Sequence, residues 1–259
     1  MSHENDAVKA ANTTFWNGAA ARWRQLDLPA PALLHDWVGH LAGAPGDLLL
    51  DAGCGVGRWS VPVASLGYRV SGVDLSPLMI REAQAKARSF DLTPDRIRFQ
   101  VGEVEHLPFP NARFDGIICL NVLDFVPVPG RALLELRRVL KPGARMLVAT
   151  LGAYSPIKYE HWRRFLPANP VPAIANQILP WEMEALLQEL GWEIIHQQPD
   201  FEPSAAGQPN RYDEAWSRQI GDRILQQTVA SKWLFVARKP AAPPADHPDP
   251  AMESGRRER

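Results

Sequence analysis

The segment LLLDAGCGVGRWS, residues 48–60, places three glycines within five positions directly after a run of leucines. The leucines predict a buried strand, and the residues after them predict a tight turn that leads into a helix. At such a junction, backbone N–H groups and a helix N-terminus point toward the space that a ligand occupies. Glycines there remove the Cβ atoms that would block a close approach. The segment therefore predicts an α/β domain with a ligand site at this loop.

Short apolar runs alternate with amphipathic stretches between residues 47 and 150, which is typical of a parallel α/β sheet. The predicted strands are 47–52, 68–74, 96–102, 114–121, 144–150, 192–198 and 231–239. The predicted helices between them are 56–67, 76–90, 131–143 and 180–191. We therefore expect a doubly wound α/β fold with seven strands.

The remaining segments divide the chain into further units. The predicted units are an N-terminal helical cap over residues 1–43, an α/β domain over 44–239 with lid insertions at about 152–180 and 199–228, and a disordered tail over 240–259. In the cap, Phe15, Trp16 and Trp23 either cover the ligand or pack against the sheet. Both interpretations stay open at this point.

Composition narrows the classes of partner. The net charge of −1 over 259 residues favours neither nucleic acid nor an anionic membrane. The sequence has no secretory signal pattern, and no run approaches the roughly 20 apolar residues that cross a bilayer. Cys54 and Cys119 have no partners at metal-ligand spacing, which predicts reduced thiols and no metal site. We expect a cytoplasmic monomer or homodimer that acts on a small molecule, without stable membrane insertion.

The spacing of the glycines indicates which ligand suits the loop. The pattern is D-x-G-x-G-x-G, whereas the dinucleotide fingerprint would require a glycine where Arg58 stands. A phosphate-binding Walker A loop would require Gly-Lys-Ser/Thr, which is absent from the segment. Asp51 adds a negative charge that would repel a diphosphate. A ligand that carries an amino group and a sulfonium, without phosphate, fits these charges.

Two further acidic residues follow the next strands. Asp74 ends the second predicted strand, where a carboxylate can accept hydrogen bonds from both hydroxyls of a ribose. Glu103 follows the third predicted strand, where it could accept from an exocyclic amine such as N6 of adenine. An adenosine-containing cation is thus the ligand that these residues favour.

Four segments in this order resemble the class I S-adenosylmethionine-dependent methyltransferases, in the small-molecule branch that includes enzymes of ubiquinone and menaquinone biosynthesis. They are LLDAGCGVGRWS (49–60), GVDLS (72–76), GEVEHLPFPNARFD (102–115) and LRRVLKPGARMLVAT (136–150). The resemblance extends over residues 10–238 and is strong over 47–150. It implies a Rossmann-like fold, S-adenosylmethionine as the methyl donor and S-adenosylhomocysteine as the product.

The resemblance also implies roles for residues at the glycine-rich loop. Asp51 and Gly53 would hold the methionine end of the cofactor. Gly55 and Gly57 would let the cofactor pass close to the backbone, and Asp74 would bind the ribose.

Four more positions are implied to contact the cofactor. Leu75 would pack on the adenine, while Glu103 and the backbone of Val104 would bind the edge of the ring. Asn121 would lie beside the methionine moiety, near the transferred methyl. The family often has aspartate at the position of Glu103, so this side chain is longer by one methylene.

The acceptor is less clearly indicated. A general base is needed only if the acceptor must lose a proton, and the candidates are Tyr159, His161 and Asp124. Asp124 could equally cap the turn in NVLDFVP, and a histidine in a lid is commonly a hydrogen-bonded surface residue. Several aromatic residues in and beside the lid segments favour an apolar or aromatic acceptor: Tyr154, Tyr159, Trp162, Phe165, Trp181, Tyr212 and Trp216.

Three functions remain open from the sequence. The first is methyl transfer from S-adenosylmethionine to carbon, oxygen or nitrogen of a small molecule. The second is a nicotinamide-dependent dehydrogenase, which the glycine spacing and Asp51 disfavour. The third is a non-catalytic module that binds S-adenosylmethionine.

Overall fold

The computed structural model describes residues 2–25, 31–41, 43–152, 178–200 and 232–241. The helices are α1 (Ser2–Trp23), α2 (Pro31–Gly39), α3 (Ser60–Ser65), α4 (Pro77–Ser89), α5 (Pro129–Val139) and α6 (Pro180–Glu189), with a 3₁₀ turn at Leu123–Phe125. The strands are β1 (Leu48–Ala52), β2 (Arg69–Asp74), β3 (Ile97–Val101), β4 (Phe114–Leu120), β5 (Leu140–Leu151), β6 (Glu193–Asp200) and β7 (Lys232–Arg238).

The strands of the described residues form one sheet in the order β3-β2-β1-β4-β5-β7-β6. The five strands from β3 to β5 are mutually parallel, and β7 runs antiparallel to both of its neighbours. The chain winds in one direction from β1 to β3 and in the other from β4 to β5. The carboxyl ends of β1 and β4 therefore form the switch point where open α/β sheets bind ligands. The predicted doubly wound, seven-stranded α/β fold is confirmed.

Apolar layers cover both faces of the sheet. On one face, α5 and α6 pack against side chains such as Leu50 and Val148. On the other face, α2, α3 and the end of α4 pack against side chains such as Leu49 and Leu147. Neighbouring residues of one strand thus enter opposite layers, as the pleat of a strand requires. Burial on both faces explains why these strands are continuous apolar runs rather than alternating ones.

The first helix after the glycine-rich loop is shorter than the predicted helix 56–67. It occupies only Ser60–Ser65, and the residues before it form turns. Gly53, Gly55 and Gly57 have φ values of 74°, 53° and 75°, a left-handed conformation that a right-handed helix cannot contain. The backbone conformation of the loop therefore moves the start of the helix to Ser60.

The predicted helix 131–143 is also shifted. α5 begins earlier, with Pro129 in its first turn, and ends at Val139 because Leu140 already pairs with Phe114 in the sheet. Proline suits the first turn because it has no N–H to leave unpaired there.

The helix α1 lies over the carboxyl end of the sheet. Its Ala20 is buried with Val56 of the glycine-rich loop and Met79 of α4. The lid insertions and the tail fall almost entirely outside the described residues. None of the helices in the described part of the chain is long and apolar enough to cross a membrane.

We predict that Gly72→Ala destabilises the sheet. A Cβ at Gly72 would lie 2.4 Å from Cδ1 of Phe99 and 3.0 Å from Sγ of Cys54. Overpacking of this kind costs about 1–3 kcal/mol of unfolding free energy, which thermal denaturation would detect as a lower Tm.

The matched control is Gly130→Ala in the first turn of α5. There the nearest atom to the new Cβ is Cδ1 of Leu186, at 3.8 Å. Alanine also has the higher helix propensity, so Tm should be unchanged or raised. Equal losses of Tm in the two variants would contradict the packing argument.

Candidate active site

The predicted cofactor residues lie together at the carboxyl ends of four adjacent strands. Asp51 and Gly53 are at the end of β1, Asp74 ends β2, Glu103 follows β3 and Asn121 follows β4. The structure therefore brings these positions to the switch point of the sheet, although they are separated by as many as 70 residues in the sequence.

The carboxylate of Asp74 connects the glycine-rich loop to the start of α4. Its Oδ2 accepts a hydrogen bond from the N–H of Gly55 at 2.9 Å, and its Oδ1 accepts from the N–H of Ser76 at 2.9 Å. The N–H of Gly53 donates to the carbonyl of Val73 at 2.7 Å, which ties the same loop to β2 again. Each carboxylate oxygen has a further lone pair, so Asp74 can still accept from the hydroxyls of a ligand.

The three glycines of the loop have different surroundings. A Cβ at Gly53 would lie 2.2 Å from Cγ2 of Val122, and one at Gly57 would lie 3.3 Å from Cβ of Ala83. A Cβ at Gly55 would meet no atom of the described residues within 4 Å. The protein itself requires the first and third glycines, whereas Gly55 leaves open space along the backbone that suits a ligand.

Asp51 and Asp74 give this loop a strongly negative character. Asp51 is buried and accepts a hydrogen bond from the hydroxyl of Ser60. Burial, with a smaller contribution from the charge of Asp74, raises the pKa of Asp51 to about 7. Burial also raises the pKa of Asp74, against the effect of its two backbone hydrogen bonds. Neither carboxylate has an ion-pair partner among the described residues, so a positively charged ligand would be stabilised here.

Asn121 combines a strained backbone with an unpaired polar atom. Its φ is 58°, which is unusual for a residue other than glycine, and its N–H donates to the carbonyl of Ala149. Its Oδ1 is buried and has no hydrogen-bond partner in the part of the chain that the structure describes. Backbone strain and unsatisfied buried acceptors are both costly, and functional sites are where they persist. A hydrogen-bond donor on a ligand would satisfy this oxygen.

The buried face of α1 is polar and contacts several of these loops. Oδ1 of Asn17 accepts hydrogen bonds from the hydroxyl of Ser76 at 2.6 Å and from the N–H of Leu78 at 3.3 Å. Nδ2 of Asn12 donates to the carbonyl of Phe125 at 2.7 Å. This bond fixes the orientation of the amide. Oδ1 of Asn12 is therefore the buried atom that has no hydrogen-bond partner among the described residues. The helix thus forms a wall over the candidate site.

The aromatic residues of α1 pack at the same edge. Trp16 makes edge-to-face contacts with Phe125, at a centroid distance of 4.9 Å, and with Trp23, at 5.6 Å. Phe15 is more than one-third exposed. Trp16 and Trp23 pack against the cluster that contains Val56 of the glycine-rich loop and Met79 of α4, and their role as a cover over the ligand stays a prediction.

The sequence reasoning missed Asn12 and Asn17. Asn12 lies four residues before Trp16, and residues at this spacing are neighbours on one face of a helix, so the sequence carried a signal for Asn12. The position of Asn17, next to Trp16, gave no such signal.

Three further residues predicted to bind the cofactor follow β2 and β3. Leu75 is half-buried directly beside Asp74, and Val104 is buried in the core layer that contains Val73. Oε2 of Glu103 accepts a hydrogen bond from Nζ of Lys9 on α1 at 2.6 Å.

The three candidate bases differ in position. Asp124 is fully buried, and its carboxylate accepts hydrogen bonds from the hydroxyl of Thr150 and the N–H of Leu151. This geometry favours a role in anchoring the end of β5 rather than contact with an acceptor. Tyr159 and His161 lie outside the described residues.

Comparison with known proteins shows what the chain is similar to. A family model described as a methyltransferase domain matches residues 50–148. A demethylmenaquinone methyltransferase of Renibacterium salmoninarum is 31% identical over 196 residues, which cover 69% of this chain and 76% of that protein. The O-methyltransferase resE of Aspergillus sclerotiorum is 32% identical over 158 residues, or 60% of this chain. The match spans only 58% of the length of resE.

A solved structure of the [4+2]-cyclase SpnF matches with a TM-score of 0.62 and 22% identity, over 82% of each chain. At this identity the likeness shows the fold alone. The sheet and its surrounding helices are thus shared with proteins of more than one named activity.

We predict that Asp51→Asn stabilises the fold increasingly as the pH rises. The pKa of Asp51 in the folded protein, about 7, lies above its ordinary value of 3.8, so ionisation of Asp51 opposes folding. The Tm difference between variant and wild type should be small at pH 4, grow toward pH 7 and then level off. Each kcal/mol corresponds to about 2–4 °C in a protein of this size.

The variant and the wild type are compared at each pH, so that effects of pH on the rest of the molecule cancel in the Tm difference. A difference for Asp51→Asn that stays constant with pH would contradict the assignment.

We also predict that Gly55→Ala and Gly53→Ala separate binding from folding. Gly55→Ala should weaken S-adenosylhomocysteine binding at least tenfold, about 1.4 kcal/mol, because the methyl fills the open space. Its effect on unfolding should be limited to the roughly 1–2 kcal/mol of a left-handed alanine. Gly53→Ala adds a clash with Val122 and should lower Tm further.

Calorimetric titration and thermal denaturation of both variants test this separation. Gly55→Ala protein that binds S-adenosylhomocysteine as tightly as wild type would show that the space beside Gly55 is not used.

Proposed function

The chain belongs to the class I S-adenosylmethionine-dependent methyltransferases, and we propose that it methylates a small apolar or aromatic acceptor. The relative from Renibacterium salmoninarum and the matched methyltransferase domain identify the family and the enzyme class. The dehydrogenase alternative is therefore not supported, as the glycine spacing and the buried Asp51 had indicated.

The observation that carries the cofactor assignment is the pair of carboxylates, Asp51 buried and Asp74 half-buried, beside open backbone at Gly55. Asp74 would accept the ribose hydroxyls, and Glu103 would accept from the adenine amine. Asp51 would favour the positively charged methionine end, and Oδ1 of Asn121 offers an unsatisfied acceptor nearby. These residues fit S-adenosylmethionine, which when bound supplies an activated methyl group on a sulfonium.

The protein's contribution to the reaction is alignment and exclusion of water. The wall formed by α1 closes one side of the site through Asn12, Trp16 and Asn17. Asp124 is engaged with β5, so a base, if the acceptor requires one, would come from elsewhere. Tyr159 and His161 remain our candidates for that role.

The acceptor class rests on two supports. One is the set of aromatic residues in the lid segments, of which Trp181 is half-buried on α6. The other is the name of the relative from Renibacterium salmoninarum, a demethylmenaquinone methyltransferase, whose named acceptor is an aromatic quinone derivative. We propose by analogy a phenolic, quinol or similar apolar ring as the acceptor of this enzyme.

Thermal denaturation with S-adenosylhomocysteine, and in parallel with NAD, tests the cofactor. A ligand at 100 times its Kd stabilises the native state by about 2.7 kcal/mol, so Tm should rise by roughly 5–10 °C with S-adenosylhomocysteine alone. A rise with NAD alone would contradict the cofactor assignment.

The acceptor is tested with isotopically labelled S-adenosylmethionine and matched pairs of acceptors. Each pair has the same nucleophilic group, once on an apolar ring, such as a quinol, and once on a polar aliphatic molecule. We expect label on the ring compounds. Label confined to the polar aliphatic members would contradict the proposed acceptor class.

A further inference from the structure

The side chain of Lys9 connects α1 to the loop after β3. Its Nζ lies 2.6 Å from Oε2 of Glu103, with hydrogen-bond geometry, and 3.5 Å from Oε2 of Glu105. Nδ1 of His106 lies 3.7 Å from the same oxygen of Glu103, on the exposed side. One lysine therefore forms ion pairs with two carboxylates that are 94 and 96 positions away in the sequence.

This contact differs from an ordinary surface ion pair. The side chain of Lys9 is 20% exposed and that of Glu105 only 4%. Burial lowers the pKa of Lys9, but its hydrogen bond to Glu103 and the charges of both carboxylates outweigh burial, so the pKa is raised overall. Exposed ion pairs contribute little because water screens them, whereas partly buried pairs are screened less.

The contact lies at the position where an adenine would be bound. The N–H of Gly102 donates to the carbonyl of Asp74 at 3.0 Å. The backbone of Glu103, the next residue, therefore lies close to the residue assigned to the ribose. Oε2 of Glu103 accepts a hydrogen bond from Lys9, while Oε1 has no hydrogen-bond partner among the described residues. One carboxylate oxygen is thus held by the protein and the other is available.

We propose that Lys9 is a positioning residue, which holds Glu103 so that its second oxygen accepts a hydrogen bond from the amino group of adenine. This inference rests on the proposed function, in which Glu103 binds the edge of the ring. Glutamate has one more rotatable bond than the aspartate common in the family. The contact with Lys9 removes that freedom before the ligand arrives, and preorganisation of this kind favours binding. Lys9 also offsets the combined charge of Glu103 and Glu105.

The test compares two ligands that differ at the adenine amine. S-adenosylhomocysteine carries the amine, and its purine analogue carries hydrogen in that place while N1 stays an unprotonated acceptor. Lys9→Met should weaken binding of the first ligand by about fivefold or more, within the range measured for coupled residues. The affinity for the second ligand, measured by competition, should stay unchanged, because it has no amine from which Glu103 could accept a hydrogen bond.

Two further variants complete the experiment. Lys9→Arg keeps the charge and should retain the wild-type affinity for S-adenosylhomocysteine. Arg24→Met removes a different contact at the end of α1, the 3.7 Å ion pair with Glu82 of α4, and should change both affinities by the same factor. This control reports how the docking of the helix alone affects binding.

Equal weakening of both ligands by Lys9→Met would overturn the proposal, because Lys9 would then only hold α1 in place. Unchanged affinity for S-adenosylhomocysteine in Lys9→Met would overturn it as well. Wild-type protein that binds no S-adenosylhomocysteine would instead contradict the proposed function, so the two failures are distinguishable.

Discussion

The carboxylate of Asp74 accepts hydrogen bonds from the N–H groups of Gly55 and Ser76, and the rest of the site depends on this bridge. It sets the path of the glycine-rich loop relative to β2 and orients the first turn of α4, where Ser76 caps the helix through Met79. The same carboxylate is the residue assigned to the ribose. Under the proposed function, one side chain would both shape the loop and bind the ligand.

The site is assembled from groups that are individually unfavourable for folding. Burial raises the pKa of Asp51, Asn121 has a left-handed backbone, and Oδ1 of Asn12 and of Asn121 are buried without partners among the described residues. A cation on a ligand would favour the ionised form of Asp51, and hydrogen-bond donors on a ligand would satisfy the two amide oxygens. The two apolar layers of the sheet provide the stability that tolerates these local costs, since they lie directly beneath the loops.

The polar face of α1 extends this site beyond the sheet. Lys9, Asn12 and Asn17 each bond to a different loop, after β3, β4 and β2 respectively. A helix that served only for packing would present an apolar face here. The three contacts couple the position of α1 to the loops assigned to adenine, methionine and ribose. The docking of α1 and the orientation of Glu103 thus depend on the same contact, which is the physical basis of the role inferred for Lys9.

The sequence by itself determined the seven strands, the class of fold and the clustering of Asp51, Asp74 and Asn121. Apolar runs, glycine spacing and residues at strand ends are local patterns, and parallel strands bring such ends to one edge whatever the loops do. The tertiary structure alone decided that the helix after the loop starts at Ser60, that the carboxylate of Asp124 accepts from the N–H of Leu151, and that Lys9 meets Glu103. Those outcomes depend on contacts between distant segments, and a local pattern carries no information on which side chains such contacts bring together.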